Sequence, residues 1–339
     1  MSIVILGDHP ALNEVGRPFS NGYWGYFNGV LRRAGIDPAE CIWLNCINSP
    51  GGSFYAFTQE SKSGALTAFP QVAKKAWLRE EFGRDIHGLY TTLRRIKPNI
   101  VICCGVLPLL AMTHQNKLKF ARGRITTSIP SCSHIKVLPV LHPRDVLTEI
   151  KQEPVLLLDL MKAKKESAYP EVRRPQRFIH LHPTIEDLET FWNDYIINRT
   201  SNLSMDIETK TPIITCVGIS PSPDRALVVP FYDAEKPGGN YWATAREEKI
   251  AWKFVFRCLN TPGVEVFGQN FSYDAQYLWG KMGIPLTQWT NDTMVMHHAL
   301  QIEMEKGLGF LASIYSDELA WKFMHKRRVA DRSAKKEDE

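Results

Sequence analysis

Residues 203 to 220 read "LSMDIETKTPIITCVGIS", an apolar, strand-like run that carries two acids, Asp206 and Glu208. In a strand, side chains two apart share a face, so both carboxylates point the same way at close quarters and repel each other. Such a pair asks for a positive partner that the sequence does not contain. Mg²⁺ or Mn²⁺ would resolve the conflict, because these ions prefer hard oxygen ligands and hold together carboxylates that would otherwise repel.

Further acids lie downstream. In "VFGQNFSYDAQYL" a strand is predicted to end at Gly268, and Asn270 and Asp274, spaced i, i+4, are predicted on one face of the helix that follows. Asp206, Glu208 and Asp274 can then ring a two-metal site that activates water and steadies the leaving oxygen in phosphodiester hydrolysis. Taken alone, Asp-x-Glu also fits a solvated edge strand. Together with "QNFSYD" and the later "NDTMVMHHAL", it resembles the 3′→5′ exonuclease domain of the ribonuclease H-like superfamily, in the version found in proofreading family A DNA polymerases. The resemblance covers roughly residues 176 to 325.

It implies that Asp206, Glu208 and Asp274 are the catalytic, metal-binding acids. It also implies that Asn270, Phe271 and Tyr273 help place the terminal nucleotide of a single-stranded 3′ end of DNA, since any base offers a π face for stacking. The family also carries a fourth acid, in a Tyr-x-x-x-Asp or His-x-x-x-x-Asp pattern. "KGLGFLASIYSDELAWK" is similar to the helix just before it, but His325 and Asp331 are six apart, one too many for the histidine form. Three readings stay open: another polypeptide supplies the acid, the chain is the front end of a split polymerase, or the site is incomplete. Asp292 reads as structural, and His297 and His298 as packed or hydrogen-bonded helix histidines.

The first 165 residues alternate short apolar runs ("SIVILG", "CIWLNCI", "NIVICCG", "IKVLPVL") with segments of helical period ("GYFNGVLRRAG", "IHGLYTTLRRI"). That alternation predicts an α/β layer architecture with a mainly parallel sheet. The strand ends meet turn chemistry in "GDHP", "NSPGG" and "LHP", and open α/β sheets place their ligands at C-terminal strand ends. The order of "GDHPALNEVGRPFSNGYWGYFNGVLRRAGI", "WLNCINSPGG", "PNIVICCGVLPLLAM", "ARG" and "VLPVLHPRDVL" resembles the uracil-DNA glycosylase superfamily. It is closest to the group with a Gly-Glu-x-Pro-Gly and Gly-Arg-Pro-Phe signature. The resemblance implies a pocket at Gly7 and Asp8, with Asp8 in the place of the water-orienting acid. It also implies Asn45 near the uracil pocket, and His142 heading a His-Pro motif that meets negative charge on the departing base. Asp8 stands where the group has Glu, and Ala11 where it has a second glycine. The cysteine pair of the iron-sulfur members is missing ahead of the first strand. Cys41 and Cys46 alone do not make a four-thiolate site, so no cluster is expected.

The expected fold class is therefore α/β in two domains. Residues 1–165 form a uracil-DNA glycosylase-like parallel-sheet domain, and residues 177–325 a ribonuclease H-like mixed-sheet exonuclease domain. "AKKESAYPEVRRPQR" marks a linker over 166–176, and 326–339 a basic tail. At 339 residues, 44% of them hydrophobic, the chain is long enough for two cores, and no run has the length of a membrane-spanning helix. Seven cysteines, an odd number without a Cys-x-x-Cys pair, read as small buried hydrophobes and exclude a disulfide framework. The net charge of +5 permits a nucleic-acid partner without requiring one.

The N-terminus lacks a basic leader, which places the protein in the cytoplasm of a bacterial or phage-infected cell. The expected function is metal-dependent 3′→5′ exonuclease action on DNA, beside a DNA polymerase chain that supplies the polymerase module absent here. The alternatives are uracil excision by the first domain and a non-catalytic DNA-binding subunit of a split polymerase.

Overall fold

Three of the four apolar runs of the first half become strands buried on both faces, and the fourth, "CIWLNCI", a half-buried one. In the computed structural model, which describes residues 2–10, 18–19, 22–49, 54–73, 75–288, 290–316 and 318, these runs build one of two units. That unit comprises the described residues up to Arg173 together with those from Gly309 on, and the other spans Arg174–Leu308.

In chain order the first unit holds β1 (Ile3–Gly7), α1 (Trp24–Arg33), β2 (Ile42–Asn45), β3 (Thr58–Gln59), β4 (Trp77–Leu78), α2 (Gly83–Ile96) and β5 (Ile100–Cys104). It continues with α3 (Val106–Thr113), α4 (Leu118–Ala121), β6 (Thr126–Thr127), β7 (Lys136–Val140), α5 (Pro143–Thr148) and α6 (Glu153–Glu166). The main sheet runs β2-β1-β5-β7-β6, parallel except for β6. Every residue of β1, β5 and β7 is buried, the pattern of parallel strands with helices on both faces. Val4, Leu6, Val101 and Cys103 pack with Leu89 and Leu93 of α2 on one face. Ile5, Ile102, Leu138 and Val140 pack with Phe27 and Leu31 of α1 and Leu156 and Leu160 of α6 on the other.

The stretch expected to be a plain linker is fastened to this sheet. α6 runs through Glu166, and Lys136 of β7, fully buried, donates to Glu166 Oε2 and to the Glu171 carbonyl, both at 3.0 Å. Its ammonium sits 3.9 Å from the centre of the Tyr169 ring, whose hydroxyl donates to Glu166 Oε1 at 2.6 Å, and the Arg173 guanidinium lies 3.7 Å from the same ring centre. A buried ammonium without acceptors is costly, so the chain just beyond α6 is held where it can supply them.

The second unit holds β8 (Phe178–His180), α7 (Ile185–Phe191) running into a π-helical turn at Trp192–Ile196, β9 (Asn202–Lys210), β10 (Ile213–Ser222) and β11 (Arg225–Pro230). α8 (Ala245–Leu259), β12 (Glu265–Gly268), α9 (Phe271–Met282), β13 (Thr290–Asp292) and α10 (Thr293–Leu300) follow. The sheet is mixed, in the order β13-β12-β9-β10-β11-β8. β9, β10 and β11 form an antiparallel meander, with parallel β12 and β13 beyond β9 and parallel β8 beyond β11. α7 and α8 each begin with a capping box, Thr184 with Asp187 and Thr244 with Glu247.

The last described helix, α11 (Leu308–Tyr315), departs from expectation. Read in the sequence as similar to the exonuclease-domain helix just before the fourth acid, it packs from Gly309 on with the first unit. Lys162 of α6 donates to the Ser313 and Ser316 carbonyls at 2.8 and 2.7 Å, which the end of a helix leaves unpaired, and Arg124 donates to the Gly309 carbonyl at 2.6 Å. Arg122 is buried against Asp159, at 2.7 and 2.9 Å, and also donates to the Ser313 hydroxyl. Half-buried and buried cations of the first unit thus claim this helix, and the expected 177–325 domain ends sooner in space. His325, Asp331 and the tail over 326–339 lie outside the described residues. Among the described residues, no helix is long and apolar enough to cross a membrane.

Candidate active site

β9 alternates strictly: Leu203, Met205 and Ile207 are buried, while Asp206 and Glu208 are exposed on the opposite face. The site forms where β9 outruns its neighbour. β12 pairs only with Asn202, Leu203 and Ser204 and then turns away at Gly268, so the backbone of β9 beyond Ser204 loses its partner on that edge. Asp274 of α9 supplies the substitute, its Oδ1 accepting the Ile207 N–H at 2.9 Å. The third acid is therefore fixed to the residue between the first two. Asp274 is 3% exposed, and burial raises its carboxyl from 3.8 to about 6. The Ile207 N–H pulls the other way, while the charge of Asp206 adds to the rise.

The turn that delivers Asp274 is tightly determined. A Cβ on Gly268 would overlap the Phe271 ring, so only glycine fits there. Asn270 adopts the left-handed conformation, with φ of 57°. The Asp292 carboxylate accepts the N–H groups of Asn270 at 3.0 Å, Phe271 at 2.8 Å and Met294 at 2.8 Å, pinning the start of α9 while capping α10. This role of Asp292 was legible as an N-cap ahead of "TMVMHHAL", but its grip on α9 across more than twenty residues was not.

Two sequence expectations need correction. Asn270 does not share a helix face with Asp274, because it precedes the helix as the cap residue. Phe271, expected beside the terminal nucleotide, is 4% exposed and packs in the core with the buried residues of β9, because the tight turn after Gly268 aims the first helical side chain at the sheet. Tyr273 is 42% exposed, its hydroxyl 2.8 Å from Thr209 Oγ1, and its ring centre lies 5.0 Å from that of Tyr277. It is the member of the expected trio that presents an aromatic surface.

Among the described residues, no three His, Cys, Asp or Glu side chains are assembled as a ready metal cage. The donor chemistry nevertheless fits a hard cation. Mg²⁺ is commonly held by one or two carboxylates with the remaining positions left to water and substrate phosphate, and Asp206 and Glu208 offer that pair on an open face. Asp274 Oδ1 is occupied by the Ile207 N–H, so in the expected ring this acid would face the cation with its other oxygen.

A second constellation lies in the first unit, at the C-terminal ends of β1, β2, β5 and β7. Asp8 follows β1, Asn45 ends β2, Gly105 follows β5 and His142 lies just after β7. A Cβ on Gly105, whose φ is +104°, would come within 3.3 Å of both Asp8 Oδ1 and His142 Cδ2. One on Gly7 would meet Asn45 Oδ1 at 2.8 Å and the Phe19 ring at 3.1 Å. Phe19 stands edge-on to His142 with ring centres 5.2 Å apart. His142 Nδ1 accepts the Arg144 N–H at 3.1 Å, which leaves the proton of the neutral ring on Nε2. Burial lowers His142 from 6.5 to about 3, helped by Arg144 and His9, and raises Asp8 from 3.8 to about 7 against the pull of Arg144. Asp8 Oδ1 and Asn45 Oδ1 are buried oxygens without a hydrogen-bond donor among the described residues. All seven cysteines are free thiols, five of them buried.

These features define an α/β protein with an open carboxylate pair in one unit and a polar pocket at the strand ends of the other. No family model and no curated protein matches the chain. Among solved structures, it is similar to RNase D of Trypanosoma brucei at 13% identity and a TM-score of 0.28, over 36% of this chain and 40% of that one. It is also similar to Escherichia coli RNase D, an exoribonuclease involved in structured RNA processing, at 16% identity and a TM-score of 0.30, over 42% of this chain and 34% of that one. Brucella melitensis NrnC with bound Mg²⁺ matches at 15% identity and a TM-score of 0.29, over 43% of this chain and 64% of that one. The match spans less than two thirds of each of these chains.

Proposed function

We propose that the protein is a divalent-cation-dependent 3′→5′ exonuclease acting on single-stranded DNA ends. The observation that carries this reading is the exposed Asp206–Glu208 pair on β9, with Asp274 tied to the Ile207 N–H between them. When bound, Mg²⁺ or Mn²⁺ would polarise a phosphoryl oxygen and acidify a water. Asp206 and Glu208 hold the cation, and Asp274 keeps the strand backbone at Ile207 from shifting. Tyr273, tethered through Thr209, offers its ring to the terminal base. A DNA polymerase chain that supplies a further acid is the partner this reading calls for. The test uses end-labelled single-stranded DNA and RNA of one sequence with Mg²⁺ or Mn²⁺, comparing wild type with Asp206→Ala. Loss of degradation in the variant supports the reading, and equal degradation by both proteins removes it.

A second activity, uracil excision in the first unit, is favoured by the two donorless buried oxygens, Asp8 Oδ1 and Asn45 Oδ1, which suit the N–H edge of a base. Neutral His142, with its Nε2–H, would stabilise negative charge on the leaving base. This reaction needs no cation. Abasic sites formed in uracil-containing DNA with EDTA present, and abolished by His142→Ala, would support it. Intact DNA in the same assay would refute it.

A further inference from the structure

We propose that Lys210 is a substrate-binding residue of the carboxylate face, where it holds the phosphate next to the one that is cut. This assignment rests on the nuclease reading above. Asp206, Glu208 and Lys210 fall two apart on β9 and so project from the same face, in steps of about 7 Å along the strand. The face is thus not uniformly negative: it changes sign at the end of the strand.

The ammonium is held in place. Lys210 Nζ donates to the Tyr232 hydroxyl at 3.0 Å and lies 4.6 Å from the centre of that ring. The ring is itself fixed from behind. Gly239 packs its backbone so closely that a Cβ there would sit 2.7 Å from Tyr232 Cε2, and the Tyr232 N–H donates to the Thr215 carbonyl at 3.1 Å. Among the described residues, no carboxylate forms an ion pair with Lys210. A lysine whose position is set by a neutral phenol keeps its full charge for an anion and loses little rotamer freedom on binding one.

A nucleic-acid strand carries one charge per nucleotide and is repelled by the negative charge of two carboxylates. With a cation on Asp206 and Glu208 neutralising one phosphate, the next phosphate meets Lys210. On its other side, β9 turns Thr209 towards Tyr273, so the last residues of the strand divide between a phosphate contact and a base-stacking contact. The ligand class is the phosphodiester backbone of a single strand, DNA or RNA.

The experiment compares two substrates: a single-stranded oligonucleotide, and the p-nitrophenyl ester of thymidine 5′-monophosphate, which has one phosphodiester and no neighbour. In Lys210→Ala the ratio of kcat/KM for the oligonucleotide to that for the ester is expected to fall about tenfold, as for loss of a charged hydrogen bond. Most of the fall should be in KM. The salt dependence of oligonucleotide binding should lose about 0.7 from its log–log slope. Lys210→Arg is expected to recover the ratio. Lys210→Gln serves as a second charge-removing variant should the alanine protein fold poorly. An unchanged ratio, or an unchanged salt slope, in a neutral variant overturns the assignment. If Asp206→Ala cleaves both substrates as the wild type does, or the wild type cleaves neither, the nuclease reading falls first and the assignment with it.

Discussion

Asp8→Asn is expected to stabilise the protein at pH 8 and to leave its stability unchanged at pH 4. Asp8 is 8% exposed, its Oδ1 has no donor among the described residues, and its carboxyl is raised from 3.8 to about 7 by burial, with Asp145 adding to the rise and Arg144 opposing it. The unfolded chain ionises this acid from about pH 4 upward, while the folded state keeps its proton until about pH 7. The folded state therefore binds more protons across that window, and stability falls as pH rises through it. Each pH step between the two values is worth about 1.4 kcal/mol, so the full loss at pH 8 is on the order of 4 kcal/mol.

His142, lowered from 6.5 to about 3, has the opposite sign: the unfolded state takes up the proton first, so stability rises with pH between 3 and 6.5. The two slopes oppose each other in the wild type between about pH 4 and 6.5. Removing the Asp8 contribution exposes that of His142. Urea unfolding of both proteins from pH 4 to 8, followed by tryptophan fluorescence, measures the difference. An equal gap at both ends, or a less stable variant at pH 8, would refute the account.

Arg122→Ala leaves the Asp159 carboxylate, 1% exposed, buried without its cation, and is expected to cost about 3–5 kcal/mol in urea unfolding. Gly268→Ala forces the Phe271 ring aside and should lower stability by about 1–3 kcal/mol and reduce nuclease turnover along with it. Asp292→Ala removes the acceptor of three backbone N–H groups, so a thermal melt should fall by several degrees, and hydrogen exchange at Asn270 and Phe271 should accelerate. EDTA is expected to abolish degradation of single-stranded DNA while leaving the base-excision assay unaffected.

The first sheet could be read from sequence because its strands are continuous apolar runs: "IVILG" and "IVICC" have no solvent face to hide them among polar residues. β9 could be read for the opposite reason, since its acids alternate with core residues. The acid triad was visible by residue type, but its geometry was not. Only the early end of β12 shows why Asp274 is drawn to the backbone N–H of Ile207. Phe271 misled because an aromatic residue beside a catalytic acid looks the same whether it faces ligand or core, and the turn at Gly268 decides which. Lys136, inside an apolar strand, and α11, claimed by Lys162 and Arg124, both depend on partners 30 or more residues away, beyond the reach of any local pattern.

The attachment of α11 also bears on the order in which the protein is made. Lys162, Arg122 and Arg124 emerge from the ribosome well before the carbonyls and the hydroxyl they bind at residues 309–316, and the whole second unit is translated in between. At about 5–20 residues per second, that delay is roughly ten to thirty seconds. During this interval the nascent first unit carries a buried-type ion pair and two cations with no helix to cap, and by its end the second unit has β8 to β13 translated. The later segment can therefore finish folding first, and the earlier one waits for α11.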